Sequence, residues 1–163
     1  MRILGIDPSY TCTGLAILEV TGKQVSLVAT HRLVIPKGPA RLLRAGKGMH
    51  GFLLGQTDSK VNSAVIEEVT FGAPNPTVIG MLKELVGVYR FVLECHGISY
   101  QLVSPTTAKK AVCGTGRATK WDVAKKLSER LALVFPDDKG FDVSDATALA
   151  LCAAPASVKA RLR

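Results

Sequence analysis

The sequence predicts a layered α/β or α+β fold, and three observations carry that reading. Three short apolar runs, separated by turn residues, occupy the first 36 positions. Beyond them, long segments with helical apolar spacing alternate with two further short apolar runs. Hydrophobic residues make up 47% of the 163 residues, enough for one domain-sized core and too many for a disordered chain.

Residues 2–6 form an apolar run closed by Asp7-Pro8 and read as a buried strand. Residues 14–20 form a second run closed by Thr21-Gly22, and residues 24–35 a third that alternates loosely up to Pro36. The short separations predict antiparallel hairpins, so the three strands make a meander. Residues 39–56 mix apolar and basic side chains at helical spacing and read as a helix despite their glycines. Residues 62–69 are a strongly apolar strand carrying Glu67 and Glu68. Residues 75–95 form a long helix with an apolar stripe of Val78, Leu82, Leu85 and Tyr89, stopped by Gly97. Residues 98–103 make a fifth strand closed by Ser104-Pro105. A short helix holds 109–112 and the turn Gly114-Thr115-Gly116 follows. Residues 119–135 are then helical, with Trp121, Ala124, Leu127 and Leu131 on one side. After a polar turn at 136–140, an Ala- and Leu-rich helix spans 142–154, and a basic tail occupies about 157–163. No repeat, low-complexity stretch or linker interrupts the chain, so 1–163 reads as a single domain.

The net charge of +8 favours a polyanionic partner. Lys109, Lys110, Arg117, Lys120, Lys125, Lys126 and Arg130 lie close in sequence, opposed there by only Asp122 and Glu129. A second set is Lys37, Arg41, Arg44 and Lys47. Either set could grip phosphates, which positions nucleic acid without reading its sequence, or simply face water. The four cysteines form no CxxC pair and read as buried, reduced thiols. The three histidines are scattered and are assigned no ligand role. Asp7 interrupts the first apolar stretch, which a secretory leader would not tolerate, and the late run 146–154 is too short for a bilayer. The expected compartment is the cytoplasm, with no membrane association.

The chemistry resides in the acids. Asp7 ends the first strand, Glu67 lies late in the fourth, and Asp142 and Asp145 share a face at the start of the last helix. Strand ends of open α/β sheets converge at one edge, where such sheets place their sites. Clustered carboxylates repel, and a hard divalent ion with oxygen ligands removes that cost. Two such ions, about 3.5–4 Å apart, can clamp the oxygens of a phosphodiester displacement. Spacing alone leaves duller roles open: Asp7 as a turn residue, Asp142 as a helix cap, Asp145 as a first-turn acid. Strand alternation sends Glu67 and Glu68 to opposite faces, so one of them meets the packed side and needs a partner there.

Four motifs point to a family. Ile3-Leu4-Gly5-Ile6-Asp7-Pro8 with Thr13-Gly14, and Val65-Ile66-Glu67-Glu68-Val69 before a long helix, resemble the RuvC Holliday junction resolvases. So do Lys109-Lys110-Ala111-Val112 with Gly114-Thr115-Gly116 and Lys120, and the closing Asp142-Val143-Ser144-Asp145-Ala146-Thr147-Ala148-Leu149-Ala150. The motifs stand in the family's order and span nearly the whole chain. The resemblance implies a ribonuclease H-like fold, a mixed five-stranded sheet flanked by helices. It implies that Asp7, Glu67, Asp142 and Asp145 bind one or two Mg²⁺ ions, with Mn²⁺ able to substitute. It places Lys109 and Lys120 near DNA, with Lys110 and Arg117 in the same basic stretch. It implies a homodimer that nicks four-way junctions symmetrically to 5′-phosphate and 3′-hydroxyl ends, with a branch-migration motor as a further partner.

The chain departs from the pattern at two places. Ser9 stands where the family usually has glycine. Where the family commonly places an aromatic wedge, Thr70 is nearest and Phe71 follows, so Phe71 reads either as a base-unstacking side chain or as a loop or core residue. The cut-site preference therefore does not carry over, and a phage-type nuclease of looser branched-DNA specificity stays open. So does a YqgF-type ribonuclease, which the Asp142/Asp145 pair disfavours. The run Asp7, Ser9, Thr11, Thr13, Gly14 also resembles the phosphate loop of actin-like ATPases, but a second such loop is missing. The intact acid set argues against a silent junction-binding module.

A charge-driven interface has a measurable signature. Affinity for a synthetic four-way junction should fall on the order of a thousandfold between about 50 and 200 mM salt; an affinity flat across that range contradicts it.

Overall fold

The apolar runs of the first third become three antiparallel strands, β1 (Arg2–Asp7), β2 (Cys12–Thr21) and β3 (Gln24–Val34). The computed structural model describes residues 1–56, 60–69, 75–135 and 140–160. β4 (Ser63–Glu67) pairs parallel to β1, and β5 (Ser99–Val103) pairs parallel to β4, giving the order β3-β2-β1-β4-β5. Parallel neighbours need crossover connections. The helices α1 (Arg41–Leu54) and α2 (Pro76–Cys95) lie in those connections. Four more helices follow: α3 (Pro105–Cys113), α4 (Lys120–Leu131), α5 (Asp142–Cys152) and α6 (Ala156–Lys159). This is the mixed five-stranded sheet flanked by helices that the motifs imply.

Strand alternation divides the core into two. Leu4 and Ile6 of β1, Leu15 and Ile17 of β2 and Ala64 and Ile66 of β4 pack with Ala45, Met49 and Leu53 of α1 and Leu85, Tyr89 and Leu93 of α2. Ile3, Leu18, Val20 and Val65 face the other way, against α3, α4, α5 and α6. β3 alternates loosely for a physical reason. Ile17 pairs with Ala29 but Leu18 pairs with Leu27, so Val28 is an extra residue. Val25 and Leu27 on one side of it join the second core, while Ala29 and Leu33 join the first.

The feature that positions the site is the approach of α5 to the sheet. A Cβ on Gly5 would stand 1.7 Å from the Ala146 carbonyl oxygen, and one on Gly14 2.0 Å from that of Asp142. Only glycine lets the helix backbone lie this close to β1 and β2. Tyr89 of α2 anchors the opposite face, its hydroxyl 2.6 Å from Thr13 Oγ1 in a buried bond.

Several elements differ from the sequence reading. α3 begins at Pro105, because Ser104 caps it by accepting from the Thr107 N–H and proline suits the first helical position. Lys109 therefore sits mid-helix rather than at an element start. α4 stops at Leu131, with Ala132 in a left-handed conformation (φ 53°), and buries Val123 and Leu127. Trp121, expected on the packed side, is 57% exposed. The basic tail is partly α6, whose Lys159 ammonium donates to the Cys152 carbonyl. Arg161 and Arg163 lie outside the described residues. The cysteines are not buried: Cys95 is exposed and Cys12, Cys113 and Cys152 are half-buried, all as free thiols. His50 and His96 pair with each other at 2.9 Å, and His31 stacks on Phe52. Among the described residues, no helix is long and apolar enough to cross a membrane.

Gly14→Ala should destabilise the fold by about 3 kcal/mol or more, the upper range of overpacking, because the obstacle is backbone. Gly51→Ala, in α1 with open space around it, should be neutral or stabilise by about 0.5–1 kcal/mol. Urea denaturation of the two variants checks this; equal effects would contradict the close-approach argument.

Candidate active site

The site forms where β1, β2 and β4 meet the first turn of α5. Asp7 is the last residue of β1 and Glu67 the last of β4. Their strands run parallel with Ile6 beside Ile66, so the two acids leave the sheet at the same edge. Alternation puts both on the α5 face, and it also answers the question of Glu67 and Glu68: Glu67 faces the packed side and Glu68 is exposed. Across the sheet, Asp7 pairs with Gly14 and Gly14 pairs with Arg32. Asp142 sits directly over Gly14, in the middle of that row. Asp145, one helical turn on, completes the set.

α5 starts in an unusual way. The residue before it, Phe141, is left-handed (φ 65°) and supplies no side-chain cap. Asp142 is therefore the first helical residue, not the cap that its position also allows. Its Oδ2 instead accepts from Arg32 Nε at 3.0 Å and Nη2 at 2.9 Å. Asp145 Oδ2 meets Lys120 Nζ at 2.5 Å. Lys120 opens α4, whose start is held by a reciprocal capping box between Thr119 and Asp122.

The electrostatics show an excess of negative charge. Burial, then the charges of Glu67 and Asp145, push the Asp7 carboxyl well above the usual carboxylate range, with Lys120 opposing. Burial and Asp145 push Glu67 up to about 7 against Lys120 and Lys109. Burial works to lower Lys120, but its hydrogen bond to Asp145 and the charges of Asp145, Asp7 and Glu67 outweigh it and hold the ammonium above its ordinary value. A group of hard oxygen donors short of positive charge fits a hard divalent cation. Among the described residues, no three His, Cys, Asp or Glu side chains stand close enough to enclose an ion as they are placed. Asp142 and Asp145 each turn Oδ2 to a basic side chain, so an ion that takes those oxygens displaces Arg32 or Lys120.

The basic residues separate into roles. Lys109 and Lys120 act on the acids directly. Lys110 and Arg117 are exposed side chains on α3 and in the turn before α4. Lys125 pairs with Glu129 at 3.8 Å and lies over Trp121, as a solvated helix face would. Arg41 is structural: its guanidinium stacks 3.7 Å from the Tyr10 ring and donates to the Tyr10 carbonyl. Phe71, the expected wedge, lies outside the described residues. Sequence reasoning missed Arg32. Its one signal was its place on β3, two strands from Asp7, and it needs the register to be seen.

Comparison with known proteins follows the same lines. The family model for "Crossover junction endodeoxyribonuclease RuvC" matches residues 3–153. A protein of that name from Sphingopyxis alaskensis is 31% identical over 93% of this chain and 96% of its own length. The Cutibacterium acnes protein is 29% identical over 93% of this chain and 76% of the relative. The solved Thermus thermophilus RuvC structure superposes with a TM-score of 0.78 at 25% identity, covering 93% of this chain and 92% of that one. The same protein in complex with its Holliday junction substrate gives 0.80 at 24% identity and the same coverage.

The raised carboxyls make a pH prediction. A carboxyl whose value rises on folding favours the folded chain below its unfolded value, and that contribution is lost as pH rises through the folded value. In chelator, stability should therefore fall between about pH 4.5 and 7 as Glu67 ionises. Glu67→Gln should flatten this fall, leaving the part due to Asp7. Urea midpoints across the range test it; identical slopes would contradict it.

Proposed function

This chain belongs to the RuvC family of crossover junction endodeoxyribonucleases, and on that premise we propose that Asp7, Glu67, Asp142 and Asp145 form the divalent-ion site with which it resolves four-way DNA junctions. One observation carries the assignment. Asp7 and Glu67 end neighbouring parallel strands on one face, and backbone contact at Gly5 and Gly14 presses the first turn of α5, with Asp142 and Asp145, onto that edge. The donor chemistry suits Mg²⁺, with Mn²⁺ able to substitute, at one or two ions per site. Such an ion, when bound, polarises the scissile phosphodiester and activates water for attack.

The chain's own residues do the rest. The four carboxylates fix where positive charge can sit. Lys120 and Lys109, beside them, counter charge that builds on the phosphate. Lys110 and Arg117, both exposed in the same basic stretch, hold the flanking backbone by phosphate contacts. Phe71 is the candidate for unstacking a base at the junction centre. Hydrolysis leaves 5′-phosphate and 3′-hydroxyl ends. The whole of 1–163 acts as one nuclease domain in the cytoplasm, with a branch-migration motor as a further partner.

Paired nicks require two sites related by a two-fold axis, hence a homodimer. The face between α1 and α2 suits the second copy. Leu43 and Phe91 are 57% and 67% exposed, and with Leu42, Gly46, Val88 and Val92 they line an apolar cleft.

Asp7→Asn should lower Mg²⁺-dependent nicking of a four-way junction by at least about 100-fold, the scale of losing one group at the reacting centre. Junction binding should be unchanged, because a phosphate contact is not removed. Linear duplex should be cut poorly by either protein. Cutting retained by Asp7→Asn would exclude the assigned role.

A further inference from the structure

Arg32 belongs to none of the motifs that identify the family, yet it makes a two-donor contact with an acid of the site. Both Nε (3.0 Å) and Nη2 (2.9 Å) donate to the same oxygen, Asp142 Oδ2. Both side chains are well covered, Asp142 15% and Arg32 34% exposed. The pairing is built into the backbone. Arg32 lies opposite Gly14 in the β2–β3 register, and Gly14 is where the Asp142 backbone touches the sheet. Asp142 is the first residue of α5, and its carboxylate turns to β3. The Cys12 thiol lies beside the group: burial, and then the charge of Asp142, push it up, with Arg32 opposing. A guanidinium held by two donors to one carboxylate oxygen is a strong, directional contact.

We propose that Arg32 is a positioning residue for the acid site, holding Asp142 toward β3 and competing with the divalent ion for that carboxylate. The inference rests on the reading of Asp142 as an ion ligand. Two effects follow from the geometry. A fixed positive charge beside the site opposes a divalent cation through Coulomb repulsion. In addition, both donors hold Asp142 Oδ2, so an ion that takes this oxygen displaces contacts already made. Arg32 thereby lowers affinity for the ion and keeps the carboxylate paired when none is bound. Lys120 has the corresponding contact with Asp145, but through a single ammonium on a side chain 52% exposed. Arg32 is the more firmly placed of the two.

The test is a Mn²⁺ titration of the full-length protein at low salt, with free Mn²⁺ read by electron paramagnetic resonance. Wild type, Arg32→Gln, Arg32→Lys and Asp7→Asn are compared. Arg32→Gln should bind Mn²⁺ about tenfold more tightly, the scale of one partly screened charge near the site. Arg32→Lys, which keeps the charge, should stay close to wild type. A purely structural role predicts a lower melting temperature with affinity unchanged or weaker, and either affinity result overturns the proposal. A second measurement needs no variant. In ¹⁵N-labelled wild type, the Arg32 Nε–H resonance should move on Mg²⁺ addition with the midpoint of ion binding; a stationary resonance overturns the proposal. Should wild type bind no Mn²⁺, the acid-site reading falls and this proposal with it. Should binding be lost in Asp7→Asn yet be equal in Arg32→Gln and wild type, only the role of Arg32 falls.

Discussion

Everything at the acid site depends on one backbone contact, the seating of α5 against β1 and β2 where Gly5 and Gly14 have no side chains. A helix ordinarily packs on a sheet through its side chains, with a layer of them between the two backbones. Here that layer is absent over two residues, and the first turn of α5 reaches the sheet edge itself. Acids 138 positions apart in sequence, Asp7 and Asp145, thereby come within electrostatic reach of each other. The same contact fixes Asp142 between Asp7 and Arg32 in a single row across three strands.

That convergence sets an electrostatic condition which the protein meets only in part. Arg32 and Lys120 each take one acid of α5, and Lys109 acts on Glu67 from α3. Asp7, the most enclosed of the four, feels burial and like charges that Lys120 offsets only in part, and its carboxyl favours its proton. The surplus sits at the centre and the protein's cations sit around it. A hard cation at the centre and a phosphodiester at the basic rim is the arrangement that best satisfies both. The net charge of +8 is the long-range form of the same arrangement, drawing polyanions toward a locally acidic site.

Much of this was legible in the sequence, and what was not has physical causes. The meander and the helices between the later strands follow from apolar periodicity, while the choice of the four acids follows from the resemblance of the motifs to a family. Strand alternation by itself separates Glu67 from Glu68 only once it is known which face carries α5; the resemblance to a family is what singles out Glu67 in the sequence. Helix starts were misjudged where one residue serves two purposes: Ser104-Pro105 ends β5 and also caps α3. Helical spacing groups Trp121 with Leu127, yet the buried side of α4 carries Val123 and Leu127 and leaves Trp121 exposed. The face switch in β3 stems from a single extra residue, Val28, which no alternation rule anticipates. Arg32 escaped notice because its partner is 110 residues away and only strand register brings them together. Glycine at 5 and 14 looked like motif punctuation; its packing role emerges once a helix backbone is seen lying on it.

The central claim is that these distant carboxylates are gathered to share a divalent ion. Anomalous diffraction from crystals soaked in Mn²⁺ addresses it directly. The account predicts a manganese peak among the Asp7, Glu67 and Asp145 side chains, with Asp142 turned away from Arg32 toward it. A peak elsewhere, or none at the site while Asp142 remains on Arg32, would contradict it.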